Sequence, residues 1–294
     1  MVTGPTASGK TALAIEIALS LGCEIISADS RQIYRGMSIG TAAPTAKELA
    51  AVRHHFIATL PLDAYYSAAE YESDVLALLP HLWEHSDYAV MCGGSMMYID
   101  AVTRGIDDIP TISDGVRQNV LAEYESHGLE HMVRWLGEID PESLESVDLQ
   151  NPRRVVHAIE ITLQSGTPAS RLRTGRVKTR PWRTVTMAID YPREQLFDRI
   201  NRRVDKMIAD GLETEAAALY PLRHVNSLNT VGYKEMFAMM DGTMDRDTAI
   251  ARLAKNTRVY AKKQLTWLKR RPEVHYLDPS KPLLPQALSL ITPD

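Results

Sequence analysis

The sequence predicts an α/β protein in which a parallel sheet is covered by helices and interrupted by an all-helical insertion. Three observations carry this. A glycine-rich turn, Gly4-Pro5-Thr6-Ala7-Ser8-Gly9-Lys10-Thr11, runs directly into a helical pattern. Short apolar runs then alternate with helical stretches, the arrangement that builds parallel sheets buried on both faces. Between about 111 and 181 the apolar runs stop and only helical patterning remains. The 294 residues suffice for one large domain or two modest ones, and the 45% apolar content suits a globular core.

The turn matches G-x-x-x-x-G-K-[ST], so the fold is expected to resemble that of P-loop NTPases. Its glycines let the backbone curl until several N–H groups point inward, and the next helix adds the positive end of its dipole. Lys10 contributes a point charge, and Thr11 offers a hydroxyl to Mg2+. Gly4, Pro5, Thr6, Ala7, Ser8, Gly9, Lys10 and Thr11 therefore form the candidate phosphate site, with Thr11 the candidate metal ligand. Only three residues precede Gly4, so the strand leading into it is expected to be very short or to begin upstream.

A helix is expected over 11–21, stopped by Gly22. Residues 24–28 read as a buried strand ending at Asp29. A helix over 68–85 follows, then a strand over 88–92 stopped by Gly93-Gly94, then a helix over 96–104. From 111 to 148 the chain reads as helices broken at Gly128 and at Asp140-Pro141. A further helix over 155–164 is opened by Asn151-Pro152 and closed by Ser165-Gly166. The basic stretch 167–180 reads as a loop, and 184–190 as a strand. The expected division is a core of 1–110 and 182–294 around an insertion of 111–181. Residues 272–294 read as a short tail.

Composition limits the function classes. No run of about 20 apolar residues is present, so no membrane span is expected. The opening residues lack a basic stretch followed by an apolar one, so no secretory signal is expected. Two cysteines, Cys23 and Cys92, form no zinc pattern and suit a reducing cytoplasm as buried thiols. The net charge of −4 hides two basic stretches. One contains Arg171, Arg173, Arg176, Lys178, Arg180 and Arg183. The other runs from Arg252 to Arg271 and contains no acid. As a helix, the latter places Lys255, Arg258, Lys262, Thr266 and Lys269 on one face and Leu253, Thr257, Ala261, Leu265 and Leu268 on the other. Such a stripe suits a polyanion even on an acidic protein.

The P-loop alone favours a kinase or NTPase, with residues 25–29 as the magnesium-binding strand. Other segments point elsewhere. Ser27-Ala28-Asp29-Ser30-Arg31-Gln32-Ile33-Tyr34-Arg35-Gly36-Met37, then Ile39-Gly40-Thr41-Ala42 and Pro44, resembles the signature of tRNA dimethylallyltransferases. So do His54-His55-Phe56-Ile57, Tyr66-Ser67, Gly93-Gly94-Ser95-Met96-Met97-Tyr98 and Asn151-Pro152-Arg153-Arg154. Arg199-Ile200, Arg203-Val204-Asp205, Gly211-Leu212, Val231-Gly232-Tyr233-Lys234-Glu235, and Tyr260-Ala261-Lys262-Lys263-Gln264 with Thr266-Trp267 complete the series. The resemblance runs in order over about 1–271. It departs at Ser95, where the family usually has Thr, and at Ala43, where it often has Lys.

The resemblance implies dimethylallyl diphosphate as donor and N6 of adenosine-37, in the anticodon stem-loop of tRNA, as acceptor. The P-loop would then hold a leaving group. An exocyclic amine is a poor nucleophile and needs a carboxylate to take its proton; the resemblance assigns this to Asp29. It assigns a hydroxyl role to Ser95 and stabilisation of the departing diphosphate to Arg203, with Arg199 as the neighbouring alternative. Ser30, Gln32, Arg153, Arg154, Lys234, Lys255, Arg258 and Lys262 are the candidate tRNA contacts, Gln32 for the adenine edge, and the insertion is expected to contact the stem-loop. His54 and His55 are candidates on an equal footing with a structural role. A magnesium-dependent cytoplasmic monomer is expected. The rivals are a small-molecule kinase and an isopentenyltransferase acting on free adenine nucleotides, neither of which needs the basic stripe.

Overall fold

The structure, a computed structural model, describes residues 1–292. It divides into two compact units, residues 1–103 with 180–294 and residues 104–179. The second unit thus begins earlier than the expected 111 and ends at Thr179 rather than at 181. In chain order the elements are β1 (Val2–Thr3), α1 (Lys10–Leu21), β2 (Ile25–Ala28), α2 (Ala46–Ala51), β3 (His54–His55), α3 (Ala68–Trp83), β4 (Val90–Gly93) and α4 (Met96–Arg104). Next come α5 (Asp114–Ile139), α6 (Ser143–Ser146), α7 (Pro152–Ser165) and α8 (Ala169–Leu172). The chain continues with β5 (Thr186–Ile189), α9 (Arg193–Ala209), α10 (Leu212–Leu219), α11 (Tyr233–Met240), α12 (Arg246–Lys269), β6 (Val274–Leu277) and α13 (Leu283–Ile291).

The six strands form one parallel sheet in the order β3-β2-β4-β1-β5-β6. Every residue of β1, β2, β4 and β5 is buried, as expected of strands covered on both faces. Successive residues point to opposite faces. Ile25 packs with Leu13 and Ile17 of α1 and Ala287 of α13, while Ile26 packs with Tyr71 and Val75 of α3 and Ile99 of α4. The connection after β1 leads towards β2 and β3, and the one after β4 leads past β1 to β5. The crevice at the carboxyl ends of β1 and β4 is where ligands of open α/β sheets bind.

Local chemistry sets the helix ends. Gly9 and Gly22 flank α1 with φ of 86° and 61°, a left-handed conformation costly for other residues. Capping boxes open α2 (Thr45 with Glu48) and α3 (Ser67 with Glu70). A separate core joins Ile33 and Met37, after β2, to Val204, Leu212, Met236 and Leu253 of α9–α12, which fixes the loop leading out of the sheet.

The stretch expected as a tail is strand β6 and helix α13 instead; its last two residues, 293 and 294, lie outside the described residues. β6 pairs with β5 from Thr186↔Val274 to Ile189↔Leu277. The 167–180 loop contains the short helix α8. No described helix is long and apolar enough to cross a membrane.

The described elements of unit 104–179 are all helical. Its core joins Val120, Met132 and Leu136 of α5 to Val155 and Ile159 of α7. The expected break at Gly128 is present: at φ 74° and ψ −177° it separates two helical halves of α5 across a kink. The break at Asp140-Pro141 is real: the buried Asp140 carboxylate accepts from Ser143 Oγ at 2.5 Å, Ser170 N–H at 2.9 Å and Ser170 Oγ at 2.6 Å.

Candidate active site

Three turns meet at the carboxyl edge of the sheet: the P-loop after β1, Asp29-Ser30 after β2, and Gly94-Ser95 after β4. They line one cleft of about 290 Å³ that also contains Gln32, Thr41, His54, Arg203, Tyr260 and Gln264.

The P-loop backbone is built for an anion. Gly4 and Gly9 have φ of 145° and 86°, and Ala7, at 65°, is a non-glycine residue held in the left-handed region. Ser8 Oγ is buried without a hydrogen-bond partner, a polar group that an acceptor would satisfy. Lys10 Nζ donates to the Pro5 carbonyl at 3.4 Å, and Thr11 and Cys92 line the same cleft. Burial pulls the Lys10 ammonium below its ordinary pKa, and the nearby Arg203 charge adds to that effect. Burial likewise lowers Arg203, with Asp29 pulling the other way. Two partly desolvated cations facing each other favour any anion that comes between them.

The two arginines of α9 differ in their surroundings. Arg203 lines the cleft and donates to the Thr41 carbonyl at 3.4 Å. Arg199 donates through Nε to the Ala7 carbonyl at 2.8 Å and stacks on Tyr191 with 4.6 Å to the ring centroid. Arg199 therefore braces the strained turn.

Asp29 is half-buried at the end of β2. Its Oδ1 accepts the N–H groups of Arg31 at 2.9 Å and Gln32 at 3.2 Å, which holds the carboxylate over the turn. Ser95 ties this turn to the next one. Its Oγ accepts the Ser30 N–H at 2.8 Å and donates to Ser30 Oγ at 3.1 Å. A hydroxyl at 95 is what this bridge needs.

The paired glycines after β4 have separate causes. A Cβ at Gly93 would lie 2.2 Å from the Ala28 carbonyl oxygen, and one at Gly94 would lie 2.3 Å from Gln264 Nε2. Gln264 is buried on the inner face of α12. Its Oε1 accepts the Thr6 N–H at 2.9 Å and its Nε2 donates to the Gly94 carbonyl at 2.9 Å. Tyr260, one turn earlier, lines the same cleft, and burial with nearby Asp29 pushes its hydroxyl up to about 12. The sequence names both only as part of the family resemblance and gives neither a role in the site. A glutamine on the apolar side of a basic helix is the signal that was present.

Of the paired histidines, His54 lines the cleft, with Nδ1 2.8 Å from the Val52 carbonyl and Nε2 buried without a partner. His55 instead lies 2.5 Å from a Glu24 oxygen. Gln32 reaches the cleft, but its Nε2 donates to the Thr41 and Ala42 carbonyls, both at 3.1 Å. That amide nitrogen holds the wall in place. The wall is further fixed by Glu215, which accepts from Ser38, Ile39 and Gly40 N–H groups at 3.0, 2.8 and 2.9 Å and from Tyr233 Oη at 2.6 Å.

The basic residues divide by place. Lys255 and Lys262 are exposed on α12, while Leu253, Ala261 and Leu268 are buried opposite them. Arg258 on the same stripe donates to Asn201 Oδ1 at 2.6 Å. Lys234 is exposed on α11. Arg153 and Arg154 are exposed in the first turn of α7, in the other unit, and line no part of the cleft. α13 carries no basic residue, so only α12 of the last two helices is basic.

Residues 32–271 match the family model described as IPP transferase. The chain belongs to the IPP transferase family. It is 49% identical over 281 residues to tRNA dimethylallyltransferase 1 of Phocaeicola vulgatus, covering 96% of this chain and 94% of that protein. It is 45% identical over 281 residues to tRNA dimethylallyltransferase 1 of Bacteroides fragilis, covering 96% and 93%. Among solved structures it is similar to the tRNA isopentenylpyrophosphate transferase of Bacillus halodurans, with TM-score 0.69 and 36% identity over 94% of this chain and 88% of that one. A eukaryotic dimethylallyltransferase acting on tRNA shares the fold, with TM-score 0.81 at 21% identity over 98% of this chain and 76% of that one. This IPP transferase is accordingly an enzyme of the prenyl-transferring class, with the P-loop-like α/β fold expected from its sequence.

Proposed function

We propose that this IPP transferase moves a dimethylallyl group from dimethylallyl diphosphate to N6 of adenosine-37 in tRNA. The observation that carries this reading is the placing of Asp29 in the same cleft as the P-loop, Lys10 and Arg203. An amine nucleophile needs a carboxylate base beside the phosphate cradle; a kinase would use Asp29 for magnesium but has no need of the basic stripe on α12.

The diphosphate lies on the P-loop, where the N–H groups, Ser8 Oγ and Lys10 meet it. The N6 amine attacks the allylic carbon that bears the diphosphate. The C–N bond forms as the C–O bond breaks, and the electron pair of the C–O bond leaves with diphosphate. Lys10 and Arg203 stabilise the growing charge on the leaving oxygen. Asp29 takes the proton that the amine loses. Ser95 acts through Ser30, holding the Asp29 turn against the β4 turn.

Thr11 lines the cleft and offers a hard oxygen donor of the kind Mg2+ takes. Bound Mg2+, held through Thr11 and diphosphate oxygens, would neutralise part of the leaving group's charge. On the acceptor side, Lys255, Lys262, Lys234, Arg153 and Arg154 are exposed cations suited to tRNA phosphates. Ser30 and Gln32, one and three residues after Asp29, line the cleft and would receive the flipped adenosine.

The test is a transfer assay with labelled dimethylallyl diphosphate, Mg2+ and either unmodified tRNA bearing adenosine-37 or AMP. Label entering tRNA and lost with Asp29→Ala supports the reading. Label entering AMP alone moves the acceptor to a free nucleotide. ATP hydrolysis with no label transferred returns the P-loop to its commoner use.

A further inference from the structure

Unit 104–179 contains a side-chain cluster that the transfer reaction does not use. Glu123, His127 and His131 bring one ligand atom each to within 4.8 Å of one another. Glu123 Oε2 lies 3.1 Å from His127 Nδ1 and 3.3 Å from His131 Nε2. The two imidazoles sit side by side, with centroids 4.7 Å apart. Zn2+ bonds of about 2.0–2.1 Å in tetrahedral geometry separate neighbouring ligand atoms by roughly 3.3 Å. Both recorded carboxylate–imidazole separations match that edge.

The convergence depends on the break in α5. On a straight helix, Glu123 and His131 would be about 12 Å apart along the axis, so their ends would not reach a single point. Gly128 lies between them with φ 74° and ψ −177°. That residue kinks α5 between Glu123 and His131, and across the kink His131 reaches the same carboxylate oxygen as His127. Only glycine adopts this backbone readily. A Cβ there would meet nothing within 4 Å, so the glycine serves the backbone turn rather than close packing.

We propose that Glu123, His127 and His131 form a binding site for a borderline-soft divalent transition metal, with Zn2+ the first choice. Two imidazoles and a carboxylate suit Zn2+, and a hard all-oxygen preference such as that of Mg2+ or Ca2+ does not match them. Three protein ligands leave a fourth position for water. The ion would staple the two halves of α5 across its kink. The site is in a different unit from the P-loop cleft and is independent of the transfer reaction.

The alternative is a plain pair of imidazole–carboxylate contacts with no affinity for metal. Titration calorimetry of the full chain with ZnCl2 near neutral pH, with excess Mg2+ present, separates the two. The expected result is Zn2+ binding that is weakened at least about tenfold in each of His127→Ala, His131→Ala and Glu123→Gln. With Co2+ as the probe, the visible absorption of a tetrahedral site should appear in the wild type and vanish in His131→Ala. Thermal melting of each variant without metal checks that the substitutions leave the fold intact. Zn2+ uptake unchanged in His131→Ala, or no uptake by the wild type, overturns the proposal.

Discussion

Gln264 packs so closely on Gly94 that no β-carbon fits between them: one placed at 94 would lie 2.3 Å from the amide nitrogen. The same amide holds the P-loop through Thr6 at 2.9 Å. Gln264→Ala leaves the half-buried Thr6 N–H without its partner, at about 1–3 kcal/mol, and leaves the Gly94 carbonyl with only the long contact from Tyr260 Oη at 3.4 Å. The expected outcome is weaker diphosphate affinity and a lower melting temperature, with the α12 lysines still binding tRNA. Calorimetry with the diphosphate donor and a tRNA filter assay check the two halves separately.

The two glycines after β4 should fail in different ways. Gly93→Ala drives a methyl into the Ala28 backbone at 2.2 Å, and backbone in a central strand pair cannot yield, so poor folding is expected. Gly94→Ala meets a side chain, which can shift at the expense of its hydrogen bonds. That variant should fold yet resemble Gln264→Ala. Soluble yield and circular dichroism separate them.

Asp29→Asn keeps the size of the side chain but removes the proton acceptor. Loss of about 10²–10⁴-fold in the transfer rate is expected, with diphosphate affinity retained. Arg203→Ala should weaken diphosphate binding as well as turnover. Retained turnover in Asp29→Asn would point to a base elsewhere in the cleft.

The buried thiols set an alkaline limit. Burial pushes Cys23 and Cys92 up to about 11. A raised acid favours the folded state below its unfolded pKa, and that contribution is lost as pH rises towards the folded value. The thiol contribution should therefore be constant to about pH 8.5 and decline between there and about 11. Melting curves across that window check it, with a shallower decline in Cys92→Ala. Thiol reagents should label the native protein slowly and the unfolded protein at once.

On α12, Lys255→Ala and Lys262→Ala each remove an exposed cation. If each neutralises one tRNA phosphate, each should reduce the slope of log affinity against log salt by about 0.7–1. Arg258→Ala should also loosen the contact with Asn201. Binding measured at several salt concentrations tests the set.

Much of the site was legible because its chemistry is local. The P-loop, Asp29 at a strand end and Gly93-Gly94-Ser95 at the next are contiguous segments whose residue types state their task. Gln264 was hidden because a buried polar residue on a helix looks like its exposed neighbours until its partners, at Thr6 and Gly94, are known. Arg199 and Arg203, one helical turn apart, present the same pattern, and only the fold shows which braces the loop and which lines the cleft. The strand β6 and helix α13 read as a tail because β6 is short, with two exposed residues at the sheet edge, and Pro282 and Pro285 interrupt the apolar pattern. Gln32 was read as an adenine contact, yet loop carbonyls that pattern analysis cannot place engage its amide nitrogen.

The bond from Thr6 to Gln264 spans 258 positions of sequence. During synthesis the phosphate turn leaves the ribosome long before the helix that steadies it. Arg199 of α9 is made earlier and braces Ala7, but Thr6 has no Gln264 until α12 docks. Docking of that late helix is thus a checkpoint: a chain stalled before it would carry the P-loop residues in full and still lack a finished cradle.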